Sequence, residues 1–218
     1  MALTYIDQVN LQGKRVLARF DFNVPLDENQ NITDTQRIDL ALPSIQHILE
    51  QGASKLVMMS HLGRPKGKPQ KKFSLEPVAT YLAEKLQQKV TLTESPVDNG
   101  LESLLNLNET KIVLLENLRF DAREEKDDGE FAMKLSKFGD VYVNDAFGAA
   151  HRKHASVHEI NRHFKGHAFG GLLLKKEIQA LTHVIETFKR PYIGVIGGAK
   201  ISDKIKTIEK LLTVADNL

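Results

Sequence analysis

The amino-acid sequence predicts an α/β fold, with a parallel sheet covered by helices on both faces to give three layers. Short apolar runs alternate along the chain with segments whose apolar residues recur at helical spacing, which is typical of strand-helix-strand units. The run from Leu56 to Met59 is apolar throughout, as in a strand buried on both faces. Polar residues directly follow several of these runs, at the sheet edge where such folds bind ligands.

The first half of the chain contains two strand-helix pairs. Lys14 to Arg19 is the first predicted strand, and regular pairing stops by Pro25. Helical spacing of apolar residues predicts a helix from Thr35 to Gln51. The second strand ends at Ser60, and a basic loop leads from it to a helix from Leu75 to Gln87.

Shorter elements follow, and their alternation again predicts right-handed crossovers within one parallel sheet. They are a strand from Lys89 to Leu92, a helix from Leu101 to Leu107, a strand from Lys111 to Leu115, a helix capped by the charged run Arg123 to Asp128 and reaching about Phe138, and a strand from Asp140 to Val143.

A domain boundary is predicted near Arg190-Pro191. A long amphipathic segment, Leu172 to Phe188, precedes it, and a strand from Tyr192 to Ile196 and a helix from Ser202 to about Ala215 follow. We therefore expect a first domain over residues 1–170, an interdomain helix over 171–189, and the start of a second α/β domain over 190–218. One strand-helix unit cannot bury its apolar faces alone, so we expect either a fragment or a unit that docks elsewhere.

The composition excludes several classes of function. The formal net charge of +2 gives no reason to expect nucleic acid or a membrane surface as a partner. The absence of cysteine excludes disulfides, thiolate nucleophiles and zinc-thiolate sites. No apolar segment approaches the length of a membrane span, and the N-terminus lacks the pattern of a secretory signal. We therefore expect a cytoplasmic protein.

Arginines recur where the predicted strands end. Guanidinium groups match phosphate and carboxylate oxygens in pairs, so several at one sheet edge, with a histidine, indicate a small, multiply anionic ligand. Each arginine alone is more simply interpreted as a solvated charge or a structural ion pair. The polar residues expected at this sheet edge include these arginines and three others. They are Asp21 and Asn23 after the first strand, Arg37 at a helix start, His61 and Arg64 after the second strand, Arg119, and Arg152.

Three other patterns have ordinary alternatives. Gly197-Gly198-Ala199-Lys200 resembles a phosphate-binding turn, but a glycine pair after a strand is often a plain turn. His151, His154 and His158 have helix-like spacing that could suggest a metal site. Without cysteine or a nearby set of acidic ligands, we interpret His154 and His158 as polar helix or loop residues. The lysines between Lys66 and Lys72 are better explained by a solvated loop than by RNA binding.

Several long motifs in order give the whole chain a resemblance to the N-terminal part of the phosphoglycerate kinase family. They are Arg19-Phe20-Asp21-Phe22-Asn23-Val24-Pro25, Ser60-His61-Leu62-Gly63-Arg64-Pro65, Leu115-Glu116-Asn117-Leu118-Arg119-Phe120, the run Val141 to Ser156, and Gly197-Gly198-Ala199-Lys200-Ile201-Ser202-Asp203-Lys204. The resemblance implies a glycolytic phosphotransferase with a carboxyl group as acceptor. Such an enzyme passes a phosphoryl group reversibly between ATP and 3-phosphoglycerate, giving ADP and 1,3-bisphosphoglycerate. It also implies two Rossmann-like domains that close by a hinge motion.

The resemblance also assigns residues to roles. Arg37 and Lys200 are the implied catalytic residues, and Lys200 with Lys204 is implied to bind the nucleotide phosphates. Arg37 would also face the triose carboxylate, and Asp21 and Asn23 would bind the triose hydroxyl and backbone oxygens. The full set implied to bind 3-phosphoglycerate is Asp21, Phe22, Asn23, Arg37, His61, Leu62, Gly63, Arg64, Arg119 and Arg152.

Length limits what the resemblance implies, because family members are nearly twice as long. The implied cofactor is Mg²⁺ with ATP or ADP, and its protein ligand is expected outside these residues. We expect the 218 residues alone to bind triose phosphate weakly, to be inactive, and to self-associate, whereas the whole enzyme is expected to be a monomer. The rival is a non-catalytic binding module, which a natural stop after Leu218 would favour. A nicotinamide dehydrogenase is excluded because no Gly-x-Gly-x-x-Gly motif follows the first strand.

Overall fold

The structure is a computed structural model that describes residues 3–97, 100–107, 109–186, 188–197 and 205–217. The chain divides into two compact units, Met1–Lys175 and Lys176–Leu218. Within the described ranges, no helix combines the length and the hydropathy that crossing a membrane requires.

The first unit contains a six-stranded sheet in which every strand pairs in parallel with its neighbours. The order across the sheet is β3-β4-β2-β1-β5-β6, so the chain starts in the middle and builds toward both edges. This confirms the predicted parallel α/β fold. The strands are β1 (Arg15–Arg19), β2 (Lys55–Met59), β3 (Val90–Leu92), β4 (Ile112–Leu114), β5 (Val141–Asn144) and β6 (Ala168–Gly170).

Helices cover both faces of this sheet. Successive strand residues face opposite sides, so Val16 and Ala18 join one core cluster and Leu17 joins the other. The first cluster includes side chains of α1 and α2, and the second includes side chains of α5. The helices of this unit before its last strand are α1 (Gln36–Glu50), α2 (Glu76–Leu86), α3 (Leu101–Asn106), α4 (Ala122–Glu125) and α5 (Gly129–Ser136).

Two local details of the first unit differ from the sequence-based prediction. The charged run before Phe138 contains a helix of its own, α4, and Asp127 with φ of +56° separates it from α5. The predicted cap is present, because the Asp128 side chain accepts from the amide of Phe131 at 2.8 Å.

The edge strand β6 was not predicted, since it has only three residues and lacks an apolar run.

The second unit has less regular structure among its described residues. Helix α6 (Leu172–Glu186) begins in the first unit and continues into the second, and α7 (Ile205–Leu212) lies near the end of the chain. The predicted strand from Tyr192 to Ile196 is wrong. This segment makes only an isolated parallel bridge between Ile193 and Asn217 in the described part of the chain, and a strand cannot form without a neighbour.

Candidate functional site

The ends of β1 and β2 are joined by a buried serine. Ser60 follows β2 directly, and its hydroxyl donates to the carbonyl oxygen of Phe20 at 3.0 Å and accepts from the amide of Phe22 at 2.8 Å. Both aromatic rings are buried, with centroids 5.3 Å apart. Asp21 and Asn23 follow the carboxyl end of β1, so they lie at that edge of the sheet, and both are only partly buried.

Asp21 and Asn23 each bind another part of this edge. Oδ2 of Asp21 pairs with Nη1 of Arg37, in the first turn of α1, at 2.5 Å. Oδ1 of Asn23 accepts from the amide of Gly63, after β2, at 2.8 Å. A Cβ on Gly148 would lie 2.8 Å from Oδ2 of Asp21, so the loop after β5 approaches this carboxylate only because it has glycine there.

Two predicted contact residues are placed in the core. The side chains of Phe22 and Leu62 are buried, so only their main chains could contact a ligand. Gly63, beside them, has φ of +58°, and a Cβ there would lie 2.4 Å from the ring of Phe73. Its position therefore requires glycine both for the backbone conformation and for the close approach of that ring.

His61 lies directly after β2 and is almost completely buried. Its Nδ1 is 3.0 Å from Nη2 of Arg19, the last residue of β1. Burial, and then the positive charges of Arg19, Arg119 and Arg152, lower the pKa of His61 to about 2. The ring is therefore neutral at physiological pH and can bind an anion by donating a hydrogen bond but not through a charge of its own.

Arg119 lies in the 3-10 turn that follows β4 and is buried. Its Nη1 donates to the carbonyl oxygen of Gly63 at 2.8 Å. Its Nε lies 3.2 Å from Oε1 of Glu125 without the alignment of a hydrogen bond. Burial is the main cause that lowers the pKa of Arg119, and the nearby charges of Arg152 and Arg19 act in the same direction, whereas Glu125 opposes them.

Arg64 and Arg152 differ from the other arginines of this edge in having no partner. Both side chains are exposed, and within the described residues neither makes a hydrogen bond or an ion pair. Arg152 is nevertheless close enough to His61 and Arg119 to lower the pKa of both. We define the strand-end site as Asp21, Asn23, Arg37, His61, Arg64, Arg119 and Arg152.

The predicted nucleotide-binding residues cannot be placed. Lys200 and Lys204 lie outside the described residues, as do Gly198 and Ala199 of the glycine-rich turn. Their proposed contacts with phosphate therefore stay predictions.

One histidine does lie beside carboxylates, which the sequence-based interpretation did not anticipate. His158, Asp127 and Glu159 offer ligand atoms within 4.8 Å of one another. Nδ1 of His158 is already hydrogen-bonded to Asp127 at 2.6 Å, and Glu159 pairs with Arg162 at 2.8 Å. These side chains hold one another through ordinary surface pairs, so the interpretation of His158 as a polar loop residue still accounts for them.

Sequence reasoning missed the groups that support the site from below. Arg19, Ser156 and Glu124 are buried and hydrogen-bonded in series under His61. Arg19 itself was the available signal, because it is a charged residue at the end of an apolar strand. Arginine is rarely buried without a partner, so its position indicates that hydrogen-bond partners lie beside it.

Glu116 and Asn117 belong to one of the sequence motifs, but the motif alone predicts no role for them. The buried Glu116 carboxylate accepts from the Ser74 hydroxyl at 2.7 Å and from the Leu75 amide at 2.8 Å. The Asn117 side-chain amide donates to the carbonyl oxygens of Leu62 and Phe73, at 2.7 Å and 2.9 Å. Together they attach both ends of the loop between β2 and α2 to the end of β4.

Known proteins resemble this chain over nearly its whole length. A phosphoglycerate kinase from Anaeromyxobacter sp. (strain Fw109-5) is 49% identical over 219 residues, which are 99% of this chain and 55% of that protein. One from Chlorobium chlorochromatii (strain CaD3) is 46% identical over 214 residues, or 98% of this chain and 53% of that protein. The chain thus spans about half the length of the curated relatives it matches.

Solved structures of similar fold carry the same name. The phosphoglycerate kinase of Coxiella burnetii matches with a TM-score of 0.85 and 38% identity, covering 99% of this chain and 53% of that one. The enzyme of Pyrococcus horikoshii OT3 matches with a TM-score of 0.83 and 33% identity, covering 97% and 53%. The family model described as phosphoglycerate kinase matches residues 6–218, and the chain therefore belongs to the phosphoglycerate kinase family.

Proposed function

We propose that the strand-end site binds 3-phosphoglycerate. The observation that carries the proposal is an excess of positive charge at one sheet edge. Arg64 and Arg152 have no acidic partner among the described residues, and Arg152 and Arg119 both lower the pKa of His61. Uncompensated cations in a partly buried site favour an anion of high charge, which a phosphorylated carboxylic acid provides.

The role of each residue follows from the hydrogen-bonding groups that its side chain does not already use within the protein. Arg64, Arg119, Arg152 and neutral His61 would bind the triose phosphate through donated hydrogen bonds. Asp21 and Asn23 would hold the hydroxyl and backbone oxygens. Arg37 is half exposed and paired on one side with Asp21, which leaves further donors for the carboxylate and for the phosphoryl group in transfer.

For the whole enzyme we propose reversible phosphoryl transfer between ATP and the carboxylate of 3-phosphoglycerate. This chemistry asks the protein to align two anions and to neutralise the charge that spreads in the transition state. We propose residues 1–170 as the triose domain, 171–189 as the interdomain helix, and 190–218 as the start of the nucleotide domain. There Lys200 and Lys204 would meet the nucleotide phosphates, and closure of the domains would keep water from accepting the phosphoryl group.

The strand-end site does not fit the Mg²⁺ that accompanies ATP or ADP in this proposal. Mg²⁺ prefers carboxylate and water oxygens, whereas the described residues of the site are mostly cationic. Its carboxylate, Asp21, is already paired with Arg37. The metal is therefore assigned to the nucleotide and to residues beyond these. A cytoplasmic location and a monomeric whole enzyme also stay predictions.

The experiment that tests the triose site is a calorimetric titration of the 218-residue chain with 3-phosphoglycerate. We expect saturable binding, weakened about tenfold or more by Arg64→Ala or Arg152→Ala, because each removes charge-assisted hydrogen bonds to the ligand. Arg162→Ala is the control, since Arg162 is exposed but pairs with Glu159, which is not a residue of the strand-end site. Equal affinities of the three variants for 3-phosphoglycerate would contradict the proposal.

A separate assay tests the second half of the proposal. We expect the purified 218-residue polypeptide to show no ATP-dependent turnover of 3-phosphoglycerate, because it matches only about half of its relatives' length. The assay must be made on protein free of host phosphoglycerate kinase. Turnover above that of a mock preparation would show that these residues suffice for catalysis.

A further inference from the structure

A buried chain of hydrogen bonds runs beneath the strand-end site and ends on His61. Nη2 of Arg19 lies 3.0 Å from Nδ1 of His61, and Nε of Arg19 donates to the hydroxyl of Ser156 at 3.1 Å. That hydroxyl donates in turn to Oε1 of Glu124 at 2.6 Å, and the Ser156 amide donates to Oε2 at 3.0 Å. All four side chains are buried.

The chemistry of arginine fixes the direction of every bond in this chain. A guanidinium group has five N–H donors and no acceptor, so Nδ1 of His61 must accept. The neutral ring then carries its proton on Nε2. Likewise the Ser156 oxygen accepts from Arg19, which leaves its one proton for Glu124.

We propose that Arg19, Ser156 and Glu124 are positioning residues that hold His61 as the neutral Nε2–H tautomer, so that it presents a fixed donor to the anionic ligand. This inference rests on the proposed function of the site. Nε2 makes no hydrogen bond in the described part of the chain, and it is not among the fully buried unpaired atoms. It is therefore the ring nitrogen that remains free for a ligand.

The charges around His61 support this arrangement. Arg19 comes from β1, Arg119 from the turn after β4, and Arg152 and His154 from the segment after β5. All act to keep the ring neutral. Burial raises the pKa of Glu124, and the positive charge of Arg19 opposes that rise. Arg19 thus donates to Ser156, to His61 and to the carbonyl oxygen of Phe20, and its charge is balanced by the nearby Glu124.

The first test needs no ligand. Long-range ¹H–¹⁵N spectra of the ¹⁵N-labelled 218-residue chain distinguish the two neutral tautomers and the imidazolium form, and His61→Gln assigns the signals. From pH 5.5 to 8.5 we expect only the Nε2–H tautomer. A proton on Nδ1, or titration of the ring within this range, would overturn the proposal whatever the variants do.

The second test removes one positive and one negative positioning group together, so that the net charge of the protein does not change. In Arg19→Met combined with Glu124→Gln, we expect His61 to populate both neutral tautomers, because no obligate donor then faces Nδ1. Burial and the remaining charges of Arg119 and Arg152 should still keep the ring neutral in this pH range. Tyr142→Phe is the matched control, because the Tyr142 hydroxyl donates to the Ser156 carbonyl oxygen at 2.7 Å but does not contact His61. His61 signals unchanged in a folded double variant would overturn the proposal.

Titration with 3-phosphoglycerate then separates this inference from the proposed function. In the wild-type chain we expect the Nε2 signal to shift on binding while Nδ1 remains unprotonated, and we expect about tenfold weaker binding in the double variant. If 3-phosphoglycerate does not bind but the tautomer is as expected, the proposed ligand is wrong and the positioning role stands. If the ligand binds and shifts Nδ1 as a protonated nitrogen, the positioning role is wrong.

Discussion

Gly63 is the residue at which backbone conformation and packing can be separated by experiment. We expect Gly63→Ala to destabilise the first unit by about 2 to 4 kcal/mol, because φ is +58° and the new Cβ would lie 2.4 Å from the Phe73 ring. Gly13→Ala is the control, with φ of +70° but nothing within 4 Å of the added Cβ. Urea unfolding gives both free energies. Equal losses would mean that the ring moves aside at no cost.

Sequence reasoning predicted the residues of the strand-end site but not their partners. It placed Arg37, Arg64, Arg119 and Arg152 at one edge because they follow strands or begin a helix. It could not predict that two of these are engaged by protein groups and two are not, since the partners come from distant segments. Gly63, for example, accepts from Arg119 across 56 positions.

The buried residues that are hydrogen-bonded in series to His61 could not be predicted from the sequence, for the same physical reason. Arg19 and Ser156 are 137 positions apart and come together only in the fold, in which β1 pairs with β5 and Glu124 binds Ser156. Phe22 and Leu62 show a different limit of the sequence. The resemblance implied that they contact the ligand, and their buried side chains leave only their main chains for that contact, which stays a prediction.

The loop between β2 and α2 is the element whose order depends on one buried carboxylate. We expect Glu116→Ala to destabilise the first unit by about 1 to 3 kcal/mol, because it leaves buried donors of Leu75 and Asn117 unpaired. The loop also carries Arg64, so we expect weaker binding of 3-phosphoglycerate. Urea unfolding and calorimetry measure the two effects.

The matched control for that change is Glu94→Ala, since Glu94 is an exposed glutamate that follows β3 as Glu116 follows β4. We expect its free energy of unfolding to stay within about 0.5 kcal/mol of the wild type. A Glu116→Ala protein with wild-type stability and wild-type affinity would show that the hydrogen bonds of Ser74 and Leu75 do not order the loop.

Elements were predictable where apolar periodicity was strong. The four central strands and the helices α1 and α2 lie within a residue or two of the predicted bounds. The errors are at the margins, where three-residue β6 was missed and a strand was predicted from Tyr192 to Ile196. An apolar run indicates that a segment can pair, but pairing needs a neighbour, which the run itself does not specify.

At the scale of the whole chain, charge is distributed unevenly in a way that composition does not reveal. A formal net charge of +2 gives no indication of an anion site. The fold nevertheless gathers Arg19, Arg119, Arg152 and two histidines around the carboxyl edge of one sheet. Burial and these charges lower the pKa of both His61 and His154, so the folded first unit resists their protonation.

This resistance makes the stability of the first unit depend on pH. The unfolded chain protonates His61 below its ordinary pKa of 6.5, whereas the folded unit does not until about 2. The unfolded state therefore binds more protons in that window, and the free energy of unfolding falls as the pH decreases below 6.5. Between pH 7.0 and 5.5 we expect His61 alone to account for a loss of about 1 kcal/mol.

Urea unfolding of the wild type and of His61→Gln at these two pH values measures that contribution. We expect the variant to lose about 1 kcal/mol less than the wild type on acidification, because glutamine does not titrate. His154 should leave a remaining dependence of the same sign, since burial also lowers its pKa. His163→Gln removes an exposed histidine and serves as the control. The same change in pH dependence from both substitutions would show that burial of His61 among the arginines is not its cause.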